Sequence, residues 1–174
     1  MKRYILTGAP GAGKTTIARL LAEQGFEILP EAATDIIAEE QARGIKEPWA
    51  RSVFIEQIAR LQEQRIDAAT RPVQFHDRSP ICCYALARHL GFPVPDVLKR
   101  LLDRIAARRL FAPRVFFIDG LDFIEKTAAR QIGLDAAREF GALHKQIYSE
   151  LGYTLTHVPK GPAQERARVI RAML

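Results

Sequence analysis

The sequence predicts an α/β fold, a three-layer sandwich in which helices cover both faces of a mostly parallel, five-stranded sheet. Three observations predict it. Runs rich in β-branched and aromatic residues alternate with runs of helical periodicity along the chain. The first apolar run, Arg3 to Thr7, leads at once into Gly8-Ala9-Pro10-Gly11-Ala12-Gly13-Lys14-Thr15, which fits G-x-x-x-x-G-K-[ST] at every constrained position. At 174 residues, with 48% hydrophobic and 26% charged residues, the chain has ordinary globular composition, and residues 1–174 read as a single domain.

The elements follow in order. Arg3–Thr7 is the first strand, and Thr15–Glu23 an amphipathic helix after the glycine loop. Phe26–Leu29 is a short second strand ending at Pro30-Glu31, and a helix over Ala32–Ala42 is stopped by Gly44. After a loop through Pro48, a long helical pattern runs from Trp49 to about Ala69, with Phe54, Ile58, Leu61 and Ile66 roughly on one face. Pro72–His76 is the third strand, ended by Asp77-Arg78-Ser79-Pro80. Ile81–Leu90 is helical up to Gly91, and Asp96–Leu110 carries Leu98, Leu101, Leu102 and Ile105 at helical spacing. Arg114–Ile118 is the clearest buried strand and ends in Asp119-Gly120. A polar segment to Gln131 precedes a helix over Leu134–Leu151. Tyr153–Val158 is the fifth strand, and Pro159-Lys160-Gly161-Pro162 leads into a last helix over Ala163–Leu174.

Composition excludes several classes. No stretch approaches about 18 uninterrupted apolar residues, so no transmembrane helix is expected. The N-terminus enters a strand without a signal-peptide core. Cys82 and Cys83 are adjacent and read as reduced, packed thiols of a cytoplasmic protein. His76, His89, His144 and His157 are scattered and support no metal site. The net charge is +6, and Arg supplies 19 of the 26 basic residues, which suits phosphate-rich ligands because a guanidinium grips phosphate with a fork of donors. An anionic lipid surface could use the same charge. The lack of basic blocks interleaved with aromatics, with only one Trp, argues against nucleic acid.

The loop carries the most specific chemistry. Glycines at 8, 11 and 13 let successive N–H groups point at phosphate oxygens, an anion nest on a helix N-terminus. Residues Gly8 to Thr15, extended by Thr16, are therefore the expected binding residues for ATP. Lys14 would reach the β- and γ-phosphates, and the Thr15 hydroxyl would complete a Mg2+ shell. In such sheets ligands bind beyond the carboxyl ends of the strands, so every polar group just after a strand is a candidate. These are Glu31, Asp77-Arg78-Ser79 and Asp119. A nucleotide-bound Mg2+ needs a carboxylate near Thr15. Hydrophobicity of the preceding strand favours Asp119, whereas a third strand lying beside the first favours Asp77. A turn or capping role is the alternative for each.

The chain resembles the kinase-like AAA-domain ATPase family, relatives of the nucleoside, nicotinamide-riboside and nucleotide kinases. The resemblance spans nearly all 174 residues and rests on Gly8 to Thr16, Leu29-Pro30-Glu31-Ala32-Ala33, Phe75-His76-Asp77-Arg78, Arg114–Ile118, and Leu151 to Pro159 with Gly161. It implies the P-loop NTPase sandwich with strand order 2-3-1-4-5, which supports Asp77 as the magnesium-side acid. It also implies that Glu31 handles the acceptor hydroxyl and that Arg78 clamps phosphate or substrate. For Glu31 the competing role is a first-turn glutamate favoured by the helix dipole, and for Arg78 a structural ion-pair partner. Related kinases place a cationic lid after the fourth strand, here Gly120–Gln131 with Lys126 and Arg130, and Gly133 as hinge. Arg130 is the expected closing residue. Lys160 and Gly161 sit where such folds approach the adenine ring. Arg100, Arg104 and Arg108 form a helical stripe that is either a solvated face or a surface for an acidic substrate or lipid headgroup.

The expectation is an ATP- and magnesium-dependent phosphotransferase acting on a small hydroxylated metabolite, with a nucleoside-like compound as one candidate. Two alternatives stand beside it: a nucleotide switch using water and reporting to a partner protein, and a nucleotide-regulated protein binding acidic lipid. Trp49 and Phe54 read as core residues before they read as ring-stacking ones. Oligomeric state stays open.

Overall fold

The computed structural model of the chain describes residues 1–120 and 134–174. Five strands, β1 (Lys2–Thr7), β2 (Glu27–Leu29), β3 (Val73–Asp77), β4 (Arg114–Ile118) and β5 (Thr154–Val158), form one sheet. Their order is β2-β3-β1-β4-β5, and every neighbouring pair is parallel. The helices are α1 (Lys14–Glu23), α2 (Ala32–Ala42), α3 (Val53–Ala68), α4 (Pro80–Leu90), α5 (Asp96–Arg108), α6 (Leu134–Glu150) and α7 (Ala163–Ala172). This is the three-layer sandwich the alternating pattern implies. Among the described residues no helix is long and apolar enough to cross a membrane.

The central strands are apolar on both faces because helices cover both. Side chains alternate across the sheet. Ile5 and Val115 turn to the side where Ile81, Leu101, Ile147 and Tyr148 pack. Tyr4, Leu6 and Phe116 turn to the other, against Ile17, Leu21 and Ile170 of α1 and α7. On that second face Tyr4 stacks on Phe75 with ring centroids 5.5 Å apart, and register places the same two residues opposite each other in the β1–β3 ladder. A third apolar cluster, with Ile36, Phe54, Ile55, Ile58 and Leu98, joins α2, α3, α4 and α5 away from the sheet.

Most boundaries shift by one or two residues, and two of the shifts have clear local reasons. Trp49 lies in a short 3-10 turn over Pro48–Ala50, not in the long helix. Arg51 is extended, at φ −112° and ψ 134°, so the helical path breaks before α3 starts at Val53. Helix α4 begins at Pro80, where a missing N–H and a fixed φ suit the first helical position.

Candidate functional site

Strand order dictates what meets at the carboxyl rim. With β1 flanked by β3 and β4, the loop after β1 lies between the ends of those two strands. Gly8, Gly11 and Gly13 have φ values of 129°, 79° and 86°, conformations that side-chain-bearing residues resist. At Gly8 space decides as well, since a Cβ there would sit 2.3 Å from the Ile118 carbonyl oxygen of β4. Lys14 is buried, and its Nζ donates to the carbonyl oxygens of Ala9 at 2.8 Å and Gly8 at 3.3 Å. Burial, then the Arg78 charge, pull the Lys14 ammonium down to about 8, against the opposing pull of Asp77 and Glu31.

Thr15 Oγ1 donates to Asp77 Oδ2 at 2.9 Å. Asp77 is buried, and its other oxygen, Oδ1, is buried without a hydrogen-bond partner among the described residues. Burial, and after it the Glu31 charge, raise the Asp77 carboxyl, while Lys14, Arg78 and Thr15 partly offset them. Asp119 is engaged elsewhere, accepting from His157 Nδ1 at 2.8 Å. The geometry thus sets Asp77, not Asp119, on the threonine of the loop.

Glu31, the residue before α2, turns its carboxylate to Arg78 Nε in an ion pair, and Thr34 Oγ1 donates to its second oxygen at 3.1 Å. It occupies the N-cap position of that helix, but its side chain makes no capping hydrogen bond. Burial alone would raise its carboxyl, but the charges of Arg78 and Lys14 hold it below the usual range. Arg78 follows β3 with φ 69°, a left-handed conformation in a non-glycine residue. Its backbone N–H still donates to Leu6 at 3.1 Å, so the strained residue is pinned to β1 while its side chain swings to Glu31. Arg78 Nη1 donates to His144 Nε2 at 3.4 Å, and His144 Nδ1 donates to the Phe140 carbonyl at 2.7 Å.

A cavity opens from the loop between α2, α3, α4 and α6. Lys14, Thr15, Glu31 and Arg78 stand at its polar wall, and Ile37, Trp49, Phe54, Ile58, Leu86 and Phe140 make it largely apolar elsewhere. Phe54 and Trp49 pack in the third core cluster, as expected of core residues, and also line the cavity. Lys160 and Gly161 are exposed on the β5–α7 connection and do not line it. Pro10, Gly11, Gly13 and Thr15 line it, whereas Thr16 is exposed beyond it. Lys126, Arg130 and Gly133 lie outside the described residues. The arginine stripe of α5 is not uniformly free charge, because Arg104 pairs with Asp67 and Glu63 of α3.

Several residues of the site, Ser79 apart, were not singled out by sequence reasoning. Arg166 of α7 is buried and donates to the Ala12 carbonyl at 2.8 Å and the Asp119 carbonyl at 2.9 Å, bracing the loop from behind. Behind Arg78, Cys82 contacts Thr7 Oγ1 at 3.3 Å and the Tyr148 hydroxyl at 3.2 Å, and Ser79 Oγ meets that hydroxyl at 2.7 Å. Burial would raise the Cys82 thiol, but His144, Arg78 and the Thr7 hydroxyl overcome it and bring it to about 5. Phe140, His144 and Tyr148 recur at four-residue spacing on α6, the one signal that could have placed them on a single inward face.

Comparison with known proteins agrees with this fold. A family model described as an AAA domain matches residues 3–166. A UPF0200 protein of Aeropyrum pernix is 31% identical over 111 residues, 63% of this chain and 57% of its own, so the chain spans little more than half the length of that curated relative. Among solved structures, a deoxyadenosine kinase of M. mycoides with bound dATP superposes with TM-score 0.66 at 14% identity, covering 99% of this chain and 98% of its own. The NadR protein in complex with NAD and AMP-PNP gives 0.69 at 16% identity, covering 99% of this chain but 48% of its own. Shikimate kinase of Acinetobacter baumannii with shikimate gives 0.58 at 16%, covering 99% and 92%. These likenesses show a shared kinase-type fold. The family match over residues 3–166, phosphate loop through Arg166, makes the protein a member of the AAA-domain family of kinase-like P-loop ATPases.

Proposed function

We propose that the protein is an ATP-dependent phosphotransferase acting on a small hydroxylated metabolite. The observation that carries the reading is a carboxylate–guanidinium pair, Glu31 with Arg78, set in the wall of a cavity that begins at the phosphate loop. A switch that used only water would have no need of an apolar chamber beside its phosphates.

The residues divide the work. The loop amides and Lys14 hold the triphosphate, with Lys14 leaving its present carbonyl partners for phosphate oxygens. Thr15 and Asp77 fit Mg2+, directly or through its water: Thr15 offers a hydroxyl, and the unpartnered Asp77 Oδ1 is a buried acceptor awaiting a donor or cation. Held there by Thr15 and Asp77, the metal would supply positive charge against that of the phosphates. Glu31 is ionised at neutral pH, so it can orient an acceptor hydroxyl as a hydrogen-bond acceptor. In the transfer, the acceptor oxygen forms a bond to the γ-phosphorus and the bond from that phosphorus to the β–γ bridging oxygen breaks, releasing ADP. The hydroxyl proton passes to Glu31 and then to solvent. Arg78, tethered by Glu31 and His144, would steady the transferring group. Arg130 would close over the γ-phosphate, and Lys160 with Gly161 would approach the adenine ring.

The test is ADP release with Mg-ATP and a panel of nucleosides, vitamins and sugar acids. A kinase shows release stimulated by an acceptor, and Glu31→Gln lowers that rate roughly 100- to 10,000-fold, the usual range for a positioned acid–base group. Turnover indifferent to every acceptor, or unchanged in Glu31→Gln, overturns the reading.

A further inference from the structure

The polar side chains of the cavity separate sharply by whether they already have partners. Lys14 bonds to Gly8 and Ala9, Thr15 to Asp77, Glu31 to Arg78 and Thr34, and Arg78 to Glu31 and His144. Gln62 does not follow them. It is 8% exposed, it lines the cavity, and its amide oxygen is buried with no hydrogen-bond partner among the described residues. It is also the only polar residue that α3 contributes to the wall, where Phe54, Ile58 and Gln62 recur at four-residue spacing as one stripe. A buried carbonyl oxygen without a donor is unfavourable, and a carboxamide set in an otherwise apolar stripe fits a ligand that brings the missing N–H.

We infer that Gln62 is the specificity-determining residue of the acceptor site, and that the acceptor is a hydroxylated compound bearing a flat ring with an N–H donor at its edge. The inference rests on the phosphotransferase reading for its hydroxyl, but the ring is argued from the cavity alone. Trp49, Phe54 and Phe140 supply flat apolar surface for a ring's faces. The Gln62 amide carries an acceptor and a donor side by side, the pattern that reads a ring edge bearing one of each. An anionic carbocyclic acid fits less well, because the Arg78 guanidinium is already engaged by Glu31 and would have to be released to bind it. An acyclic polyol offers nothing to the apolar walls. A site whose polar group needs a particular donor discriminates strongly against analogues that lack it.

Binding is measured by calorimetry with the full chain, in the presence of the non-hydrolysable ATP analogue AMP-PNP and Mg2+. The probes are adenosine, cytidine, guanosine and nicotinamide riboside, with purine riboside, shikimate and ribitol as controls. At least one of the first four is expected to bind at or below millimolar concentration. If adenosine binds, purine riboside, the same ring without its amine, binds roughly 10- to 100-fold more weakly. Gln62→Leu keeps the apolar volume and is expected to weaken the same probe by roughly 10- to 100-fold, leaving AMP-PNP affinity unchanged. Gln62→Glu, which keeps the acceptor oxygens, retains more binding than Gln62→Leu for a probe that donates. Binding of none of the four, ribitol or shikimate binding as tightly as the best of them, or unchanged affinity in Gln62→Leu overturns the inference. A ring compound that binds but never stimulates ADP release would defeat the phosphotransferase reading and leave the Gln62 site standing.

Discussion

Arg166 and Ala12 stand 154 positions apart in the chain and meet at 2.8 Å, guanidinium to carbonyl. The same guanidinium holds the Asp119 carbonyl at the end of β4 at 2.9 Å. Helix α7 thus braces the phosphate loop and ties it to the end of the neighbouring strand. Loop curvature depends on more than its glycines.

Replacing Arg166 with Ala would leave two carbonyl oxygens without their donor and open space beside Gly13, whose Cβ position lies 3.3 Å from Arg166 Nη1. Expected losses are about 2–4 kcal/mol of stability and a parallel loss of nucleotide affinity. Arg166→Lys keeps the charge but presents its donors from a single nitrogen instead of a wide fork, so it spans the two carbonyls less well and falls between. Denaturant unfolding and AMP-PNP titration check both. Wild-type affinity in a well-folded Arg166→Ala protein would show that the loop holds its shape unaided.

The Thr15–Asp77 bond predicts which acid serves magnesium. Asp77→Asn should raise the Mg2+ concentration for half-maximal activity roughly 10- to 100-fold, the usual effect of losing an outer-shell partner. Asp119→Asn should leave it unchanged, because Asp119 is occupied with His157. Magnesium titrations of ATP turnover at saturating nucleotide would separate them. The reverse pattern would transfer the role to Asp119.

How far the site was legible in the sequence follows from the range of the interactions that build it. The family resemblance implied the strand order that puts Asp77 beside the loop, and the sheet has that order; the apolar run of the third strand does not itself say which strand it will pair with. Glu31 and Arg78 could each be seen at a strand end, but their pairing across 47 positions could not. Trp49 looked continuous with α3 since helical periodicity does not report the extended Arg51 between them. The α5 arginines looked like one stripe, yet Arg104 is drawn to Asp67 by α3–α5 packing that no local pattern encodes. Gln62 was invisible for a related reason. A glutamine in a helix is ordinary, and only the cavity reveals that its oxygen lacks a donor.

Lys14 gives a prediction with a definite sign. Its folded-state value, lowered by burial to about 8, lies below the 10.5 of the solvated group. Between these values the unfolded chain holds the proton and the folded protein does not, so this residue makes stability rise with pH across that window. Below about pH 8 the buried charge opposes folding by at most on the order of 3 kcal/mol. Lys14→Met should therefore stabilise the nucleotide-free protein at pH 7, with a smaller gain at pH 10, while abolishing nucleotide binding. Unfolding curves at the two pH values, without nucleotide, decide it. A variant destabilised at pH 7 would mean that the bonds to Gly8 and Ala9 outweigh desolvation.

Glycine substitutions separate conformation from contact in the loop. Gly25 has φ 91° and, among the described residues, nothing within 4 Å of where a Cβ would stand, so Gly25→Ala should lose about 1 kcal/mol through backbone strain alone. Gly120 has no positive φ and, among the described residues, nothing within 4 Å of a Cβ position, and alanine there should be close to neutral. Gly8 combines φ 129° with an approach of 2.3 Å to the Ile118 carbonyl oxygen. Neither atom is on a flexible side chain, so relief requires β1 and β4 to part. Gly8→Ala should lose about 3 kcal/mol or more and with it the alignment of loop amides on which phosphate binding depends. If thermal unfolding ranked Gly8→Ala with Gly25→Ala, the β1–β4 contact would be looser than the register implies, and the loop would be shaped by glycine conformation alone.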